Sequence, residues 1–206
     1  MRMRVAAAIL FVLAADAQAF EIIALGTSNT NCYRVERART FTAHLERLLR
    51  SQGFGATVVN RGVDGDKPAY MAERLFGPGG LSPATRLVIF EPGPNDRDVL
   101  SNVSASEKIL ARLQELRMPA IYVSSDVIQS TPDARQTAAK YGAHYYGHWA
   151  KDVPIDRTHR QYHAGGGGHL TAEGCERMAQ GMLPLVKRIL GKISRGVRAS
   201  PPREAN

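Results

Sequence analysis

This sequence predicts an α/β domain built on a parallel sheet that is covered on both faces. Three observations point to it. Several short strand candidates are apolar throughout, amphipathic helical segments alternate with them, and the length of 206 residues suits one domain around one core. Strands buried on both faces read as continuous apolar runs, whereas strands with a wet face alternate.

Residues 21–25 form the first strand candidate. Over 40–50, Phe41, Leu45, Leu48 and Leu49 fall on one helical face. Residues 56–59 form a second strand after a glycine-containing stop at 53–55, and residues 86–90 a third. Ser104 with Glu107 has the form of a capping box, which places a helix start there, with Ile109, Leu110, Leu113 and Leu116 as its buried stripe. Residues 119–123 are a fourth strand. Thr131-Pro132-Asp133 opens another helix with proline at its first position. A short fifth strand lies near His144, Tyr145 and Tyr146. Thr171 caps a last helix that carries Met178, Met182, Leu185, Val186 and Ile189. The result is a three-layer α/β/α arrangement with a central parallel sheet of about five strands and right-handed connections.

The two ends read differently from the middle. Arg2 and Arg4 precede an apolar run from Val5 to Ala15, and Ala17-Gln18-Ala19 has the A-x-A form of a cleavage site. That run falls short of the roughly 20 residues that span a bilayer core, so residues 1–19 are expected to be a secretory signal. The mature chain would start at Phe20, in a periplasm or outside the cell, with no stable membrane insertion after cleavage. Residues 20–190 form the domain, and residues 191–206, rich in small, basic and proline residues, are expected to be a loose basic tail. A formal charge of +8 raises nucleic acid as a partner. Arg2, Arg4 and Asp16 carry one net positive charge, and Lys192, Arg195, Arg198, Arg203 and Glu204 carry three, which leaves four for the domain. Nucleic acid is therefore not expected. Arg34, Arg37 and Arg39 beside Tyr33 fit a solvated helix start, or a rim contact for an acidic substrate, better than a stacking platform.

In a doubly wound sheet, ligands sit at the carboxyl ends of the strands. Gly26-Thr27-Ser28-Asn29-Thr30 follows the first strand, Asn60-Arg61-Gly62 the second and Gly93-Pro94-Asn95-Asp96 the third, while His169 stands just before the last helix. Together they supply a hydroxyl, a backbone amide, a side-chain amide and an imidazole at one sheet edge. Acyl transfer needs those parts as nucleophile, oxyanion donors and base. Their order and spacing resemble the SGNH/GDSL hydrolase family over nearly the whole mature chain, from Leu25 to the last helix. The resemblance implies a flavodoxin-like fold and a serine ester hydrolase acting on small acyl esters without metal or organic cofactor. It makes Ser28 the nucleophile and His169 the base, with Ser28, Gly62 and Asn95 as the oxyanion hole.

Two departures stand out. Thr27 occupies the place where the family usually has aspartate, and the triad aspartate expected three residues before His169 is replaced by Gly166 within Gly165-Gly166-Gly167-Gly168. Three arrangements remain open. A carbonyl of the glycine run orients His169, which is the favoured reading. A distant carboxylate, Asp152 or Asp156, serves it. Or the site is impaired and the chain is a pseudoenzyme that binds an acyl or carbohydrate ligand. His163, with Asp156, is an auxiliary candidate. Tyr141, Tyr145, Tyr146 and Trp149 either line an acyl or sugar pocket or pack the fifth strand, and packing is favoured. Asn102-Val103-Ser104 is a glycosylation sequon in a eukaryotic secretory host. Cys32 and Cys175 each lie shortly after a site motif, and those motifs should meet in space, so an oxidising compartment makes a disulfide conceivable; two free, half-buried thiols are favoured, because Cys175 fits a packing position against Leu170.

Overall fold

The computed structural model describes residues 19–124, 134–162 and 168–199. Residues 1–18, within the expected signal 1–19, Thr131-Pro132-Asp133, His163, Gly165 to Gly167 and the segment 200–206 lie outside the described residues.

Five strands alternate with helices. In chain order they are β1 (Phe20–Gly26), α1 (Ser28–Asn31), a 3₁₀ turn (Arg37–Arg39), α2 (Phe41–Arg50), β2 (Ala56–Gly62), α3 (Pro68–Phe76), β3 (Thr85–Phe90) and α4 (Val99–Glu115). Then follow β4 (Ala120–Ser124), α5 (Ala134–Lys140), β5 (His144–His148) and α6 (Ala172–Ala199). All strand pairs are parallel, in the order β2-β1-β3-β4-β5. The parallel sheet and the α/β class are those the sequence predicts.

The unbroken apolar character of β1 has a direct cause. Ile22 and Ala24 enter one core with Leu45 and Leu49 of α2 and Met178 and Met182 of α6. Ile23 and Leu25 enter the other with Met71 and Leu75 of α3 and Ile109 and Leu113 of α4. Successive side chains leave a strand on opposite faces, so a central strand with a helical layer on each side has no wet position. Ile22, Ile23 and Leu25 are fully buried, each worth roughly 1.5–3 kcal/mol relative to exposure.

The helix boundaries carry the corrections. α4 starts at Val99 and not at Ser104. Asp98 is its cap, with Oδ1 accepting from the Leu100 amide at 3.1 Å and Oδ2 from the Ser101 hydroxyl at 2.6 Å. Ser104 lies inside the helix on its exposed side, and Leu116, expected in the stripe, is the exposed C-cap. The buried Asn102 donates from Nδ2 to the Gly93 carbonyl at 3.0 Å, so the sequon is closed and the residue fastens the loop that carries Asn95. α3, which the sequence reading did not assign, begins with Pro68 at its first turn. α6 continues through Gly191 to Ala199, where a loose tail was expected. Among the described residues, no helix is long and apolar enough to cross a membrane.

Candidate active site

In the order β2-β1-β3 the chain leaves β1 toward one side of the sheet and β3 toward the other, which opens a crevice at the carboxyl ends of these strands. Ser28 stands at the mouth of that crevice. Thr27 caps α1, its Oγ1 accepting from the Asn29 amide at 3.4 Å, and this makes Ser28 the first helical residue. First-turn amides have no partner within their own helix, so the Ser28 amide is a candidate anion donor. α1 is a single turn that ends at Cys32, in a left-handed conformation with φ of 55°.

His169 Nε2 lies 2.9 Å from Ser28 Oγ, within the hydrogen-bond range expected of a nucleophile and its base. Around the imidazole, the Tyr33 ring packs at 4.7 Å between centroids, tilted by 40°. Gln161 ties the surroundings together. Its amide donates to the His169 carbonyl at 2.7 Å, and its Nε2 donates to the Tyr33 carbonyl at 2.7 Å and the Leu170 carbonyl at 2.6 Å. The segment before the glycine run thereby lies antiparallel to the residues around His169, with Arg160 opposite Leu170. Sequence reasoning missed both Tyr33 and Gln161 as site residues; each acts through contacts between segments far apart in the chain.

Gly62 ends β2 opposite Gly26 of β1. A side chain at this position would collide with the Asn31 backbone, so only glycine lets β2 approach the Ser28 turn this closely. The Gly62 amide donates to Asn60 Oδ1 at 2.9 Å. Asn95 donates from Nδ2 to the Asp66 carbonyl at 3.1 Å, which joins the loops after β2 and β3. A primary amide carries two N–H donors, so one remains for a ligand. Gly93, before Asn95, has φ of 69° and sits where a Cβ would strike the Thr27 side chain.

Beneath the serine lies a group that sequence reasoning passed over. Glu91, at the end of β3, is 1% exposed. Its Oε2 accepts from the Thr27 amide at 3.0 Å, the Thr27 hydroxyl at 2.8 Å and the Thr30 hydroxyl at 3.2 Å, while Oε1 accepts from Asn29 Nδ2 at 3.4 Å. Burial pushes its carboxyl above the usual range, and the hydrogen bonds from Thr27, Asn29 and Thr30 pull it back. Its signal was a lone acidic residue directly after an apolar strand.

The carboxylates proposed to serve His169 are committed elsewhere. Asp156 Oδ1 accepts from His159 Nδ1 at 2.8 Å, and this contact holds its carboxyl below the usual range. Asp152 accepts from the Tyr146 hydroxyl at 2.8 Å and pairs with Lys151 at 3.1 Å. The Asp-to-His spacing of three does occur in this chain, at Asp156 and His159, but the histidine at Ser28 is His169. The other auxiliary, His163, and the carbonyls of Gly165 to Gly167 lie outside the described residues. Tyr146 and Trp149 are buried in the core beneath α6, in line with the packing reading.

The cysteine expectation is overturned. Cys32 and Cys175 form a disulfide with Cα atoms 6.6 Å apart, both residues being buried. The bond joins the end of the Ser28 helix to the first turn of α6, just past His169.

No protein-family model and no curated protein sequence matches the chain. Solved structures do. TesA superposes with a TM-score of 0.66 at 17% identity, over 82% of this chain and 99% of its own. The psychrotrophic esterase EstA from Pseudoalteromonas sp. gives 0.66 at 14%, over 83% and 98%. AlinE4, an SGNH-hydrolase family esterase, gives 0.58 at 22%, over 87% and 97%. At such identities the likeness is one of fold, and the fold of this chain is that of the SGNH-hydrolase esterases.

Proposed function

We propose that the chain is an exported serine ester hydrolase of the SGNH type, acting on small acyl esters through Ser28 and His169. The observation that carries this reading is the 2.9 Å contact from His169 Nε2 to Ser28 Oγ at the topological switch point of the sheet.

The chemistry follows from that contact. A neutral imidazole with its proton on Nδ1 accepts the Ser28 proton at Nε2 while Oγ bonds to the ester carbonyl carbon. The carbonyl oxygen becomes an oxyanion, held by the Ser28 amide, the Gly62 amide and the free N–H of the Asn95 side chain. The Gly62 amide exchanges Asn60 Oδ1 for the oxyanion, so Asn60 holds the donor in place until substrate arrives. Losing one such donor typically costs about 10²–10³ in kcat. The tetrahedral intermediate collapses as His169 returns its proton to the leaving alcohol. Water, deprotonated by the same imidazole, then releases the acyl group and regenerates Ser28. With Asp152 and Asp156 bound elsewhere, His169 and Ser28 form the reacting pair, with Tyr33 packed on the imidazole and Gln161 holding the His169 backbone.

Ser28→Ala should lower turnover of 4-nitrophenyl acetate by about 10⁴-fold or more with circular dichroism unchanged. Turnover by the folded variant at the wild-type rate would exclude Ser28 as nucleophile. A folded wild type without turnover on any short ester would favour the pseudoenzyme.

A further inference from the structure

Beside the proposed site is a cavity of about 610 Å³, within the range of small-molecule sites. It lies along β2, the edge strand of the sheet, and the start of α2. Two of its lining residues, Asn31 and Gly62, also belong to the surroundings of Ser28, so the cavity and the reaction centre share a wall.

Its charge is one-sided. Arg34, Arg37 and Arg47 line it, against a single carboxylate, Glu46. That carboxylate is already used: Oε2 accepts from the Val58 amide at 2.8 Å and Oε1 pairs with Arg50 at 3.0 Å. Arg47 is held by the Ala38 carbonyl at 2.8 Å and by His44 Nδ1 at 3.0 Å, neither of which neutralises it. Arg34 lies over the Tyr33 ring at 4.9 Å. Among the described residues, the Arg37 guanidinium has no ion pair or hydrogen bond, whereas Arg39, two residues on and outside the cavity, is paired with Glu173 at 2.7 Å. A polar cavity with three guanidinium groups and no free carboxylate is suited to an anion, because each group offers a fork of N–H donors matched to carboxylate, phosphate or sulfate oxygens.

We propose that this cavity receives an anionic group carried by the ester substrate, a carboxylate, phosphate or sulfate. This rests on the serine-hydrolase reading and narrows it. Neutral esters remain substrates, and an ester bearing an anion gains affinity in the ground state and the transition state alike, so the gain falls on KM.

The test uses the full chain and two matched pairs of esters, one for each side of the scissile bond. Methyl 4-acetoxybenzoate is compared with 4-acetoxybenzoate, and 4-nitrophenyl octanoate with mono-4-nitrophenyl suberate. In at least one pair the wild type should show about tenfold lower KM for the anionic ester at low salt, with kcat little changed. That preference should shrink at 0.5 M salt (a test condition) and disappear in Arg37→Glu, an exposed position on the 3₁₀ turn where folding is not at risk. Equal KM values within both pairs, or a preference that survives Arg37→Glu, would overturn the inference and leave the hydrolase reading intact. If no ester is turned over, the hydrolase reading fails. Calorimetric titration of the same anionic esters then decides: binding lost in Arg37→Glu keeps the anion site, and no binding removes it.

Discussion

Glu91 is the residue on which the serine turn rests. Four donors from Thr27, Asn29 and Thr30 converge on one carboxyl that is almost wholly excluded from water. Replacing it with alanine would leave those donors without acceptors and open a cavity, a combined cost of roughly 3 kcal/mol or more. Glutamine keeps the shape and fixes the group neutral, so it separates charge from packing. Burial raises the folded-state pKa of Glu91 above the unfolded value. The folded state therefore binds the proton more tightly, and the stability this confers is complete below the ordinary carboxyl pKa and lost as pH rises through the raised one. Urea midpoints measured from pH 4.5 upward should fall for the wild type relative to Glu91→Gln. Parallel curves for the two proteins would show that Glu91 keeps an ordinary pKa in the fold.

At the scale of elements, the segment 156–162 decides how His169 is held. Asp156 closes a turn on itself, accepting from the Thr158 and His159 amides as well as from His159 Nδ1. Beyond it, Arg160 and Gln161 run antiparallel to His169 and Leu170. An Asp–His pair with the right spacing thus holds the turn that leads into the segment beside His169. Asp156→Asn should keep kcat within about threefold of wild type, since its carboxylate is held by His159 and not by the His169 ring, whereas loss of a true triad aspartate, which orients the imidazole, costs about 10⁴. Steady-state kinetics on 4-nitrophenyl acetate check this, and a drop of a thousandfold would make Asp156 the orienting carboxylate after all. The same element shows why a motif's spacing misleads. An Asp three residues before a His describes one turn of chain, and the fold chooses which turn faces the serine. The start of α4 escaped for a related reason. Val99 and Leu100 are exposed, so the first turns of that helix lack the apolar stripe by which a helix is read, and the Ser104–Glu107 pattern drew the boundary inward.

For the whole molecule, the layers and the sites at strand ends were legible because they follow from periodicity and chain order. Apolar runs that bury both faces define β1 and β3; Ser28 opens α1, Gly62 closes β2, Asn95 lies in the loop between β3 and α4, and His169 lies in the segment leading into α6. What the periodicity could not decide was the pairing of Cys32 with Cys175: both follow motifs expected to meet in space, but Cys175 also occupies a position that packing alone would fill. The bond spans 143 residues and encloses the chain from α2 to β5. Closing a loop of that length removes chain entropy from the unfolded state worth about 5 kcal/mol in the loop-entropy treatment. It also ties the turn of Ser28 to the helix that follows His169, so Ser28 and His169 sit on segments joined by a covalent link. The double variant Cys32→Ala, Cys175→Ala should therefore lose about 10–20 °C in Tm, taking roughly 2–4 °C per kcal/mol for a chain of this size. Its kcat should fall faster than that of the wild type on warming, as α1 and α6 part before the sheet melts. Scanning calorimetry and ester turnover over the same temperatures check both effects. Equal Tm values and parallel rate profiles would show that noncovalent packing alone holds serine and histidine together.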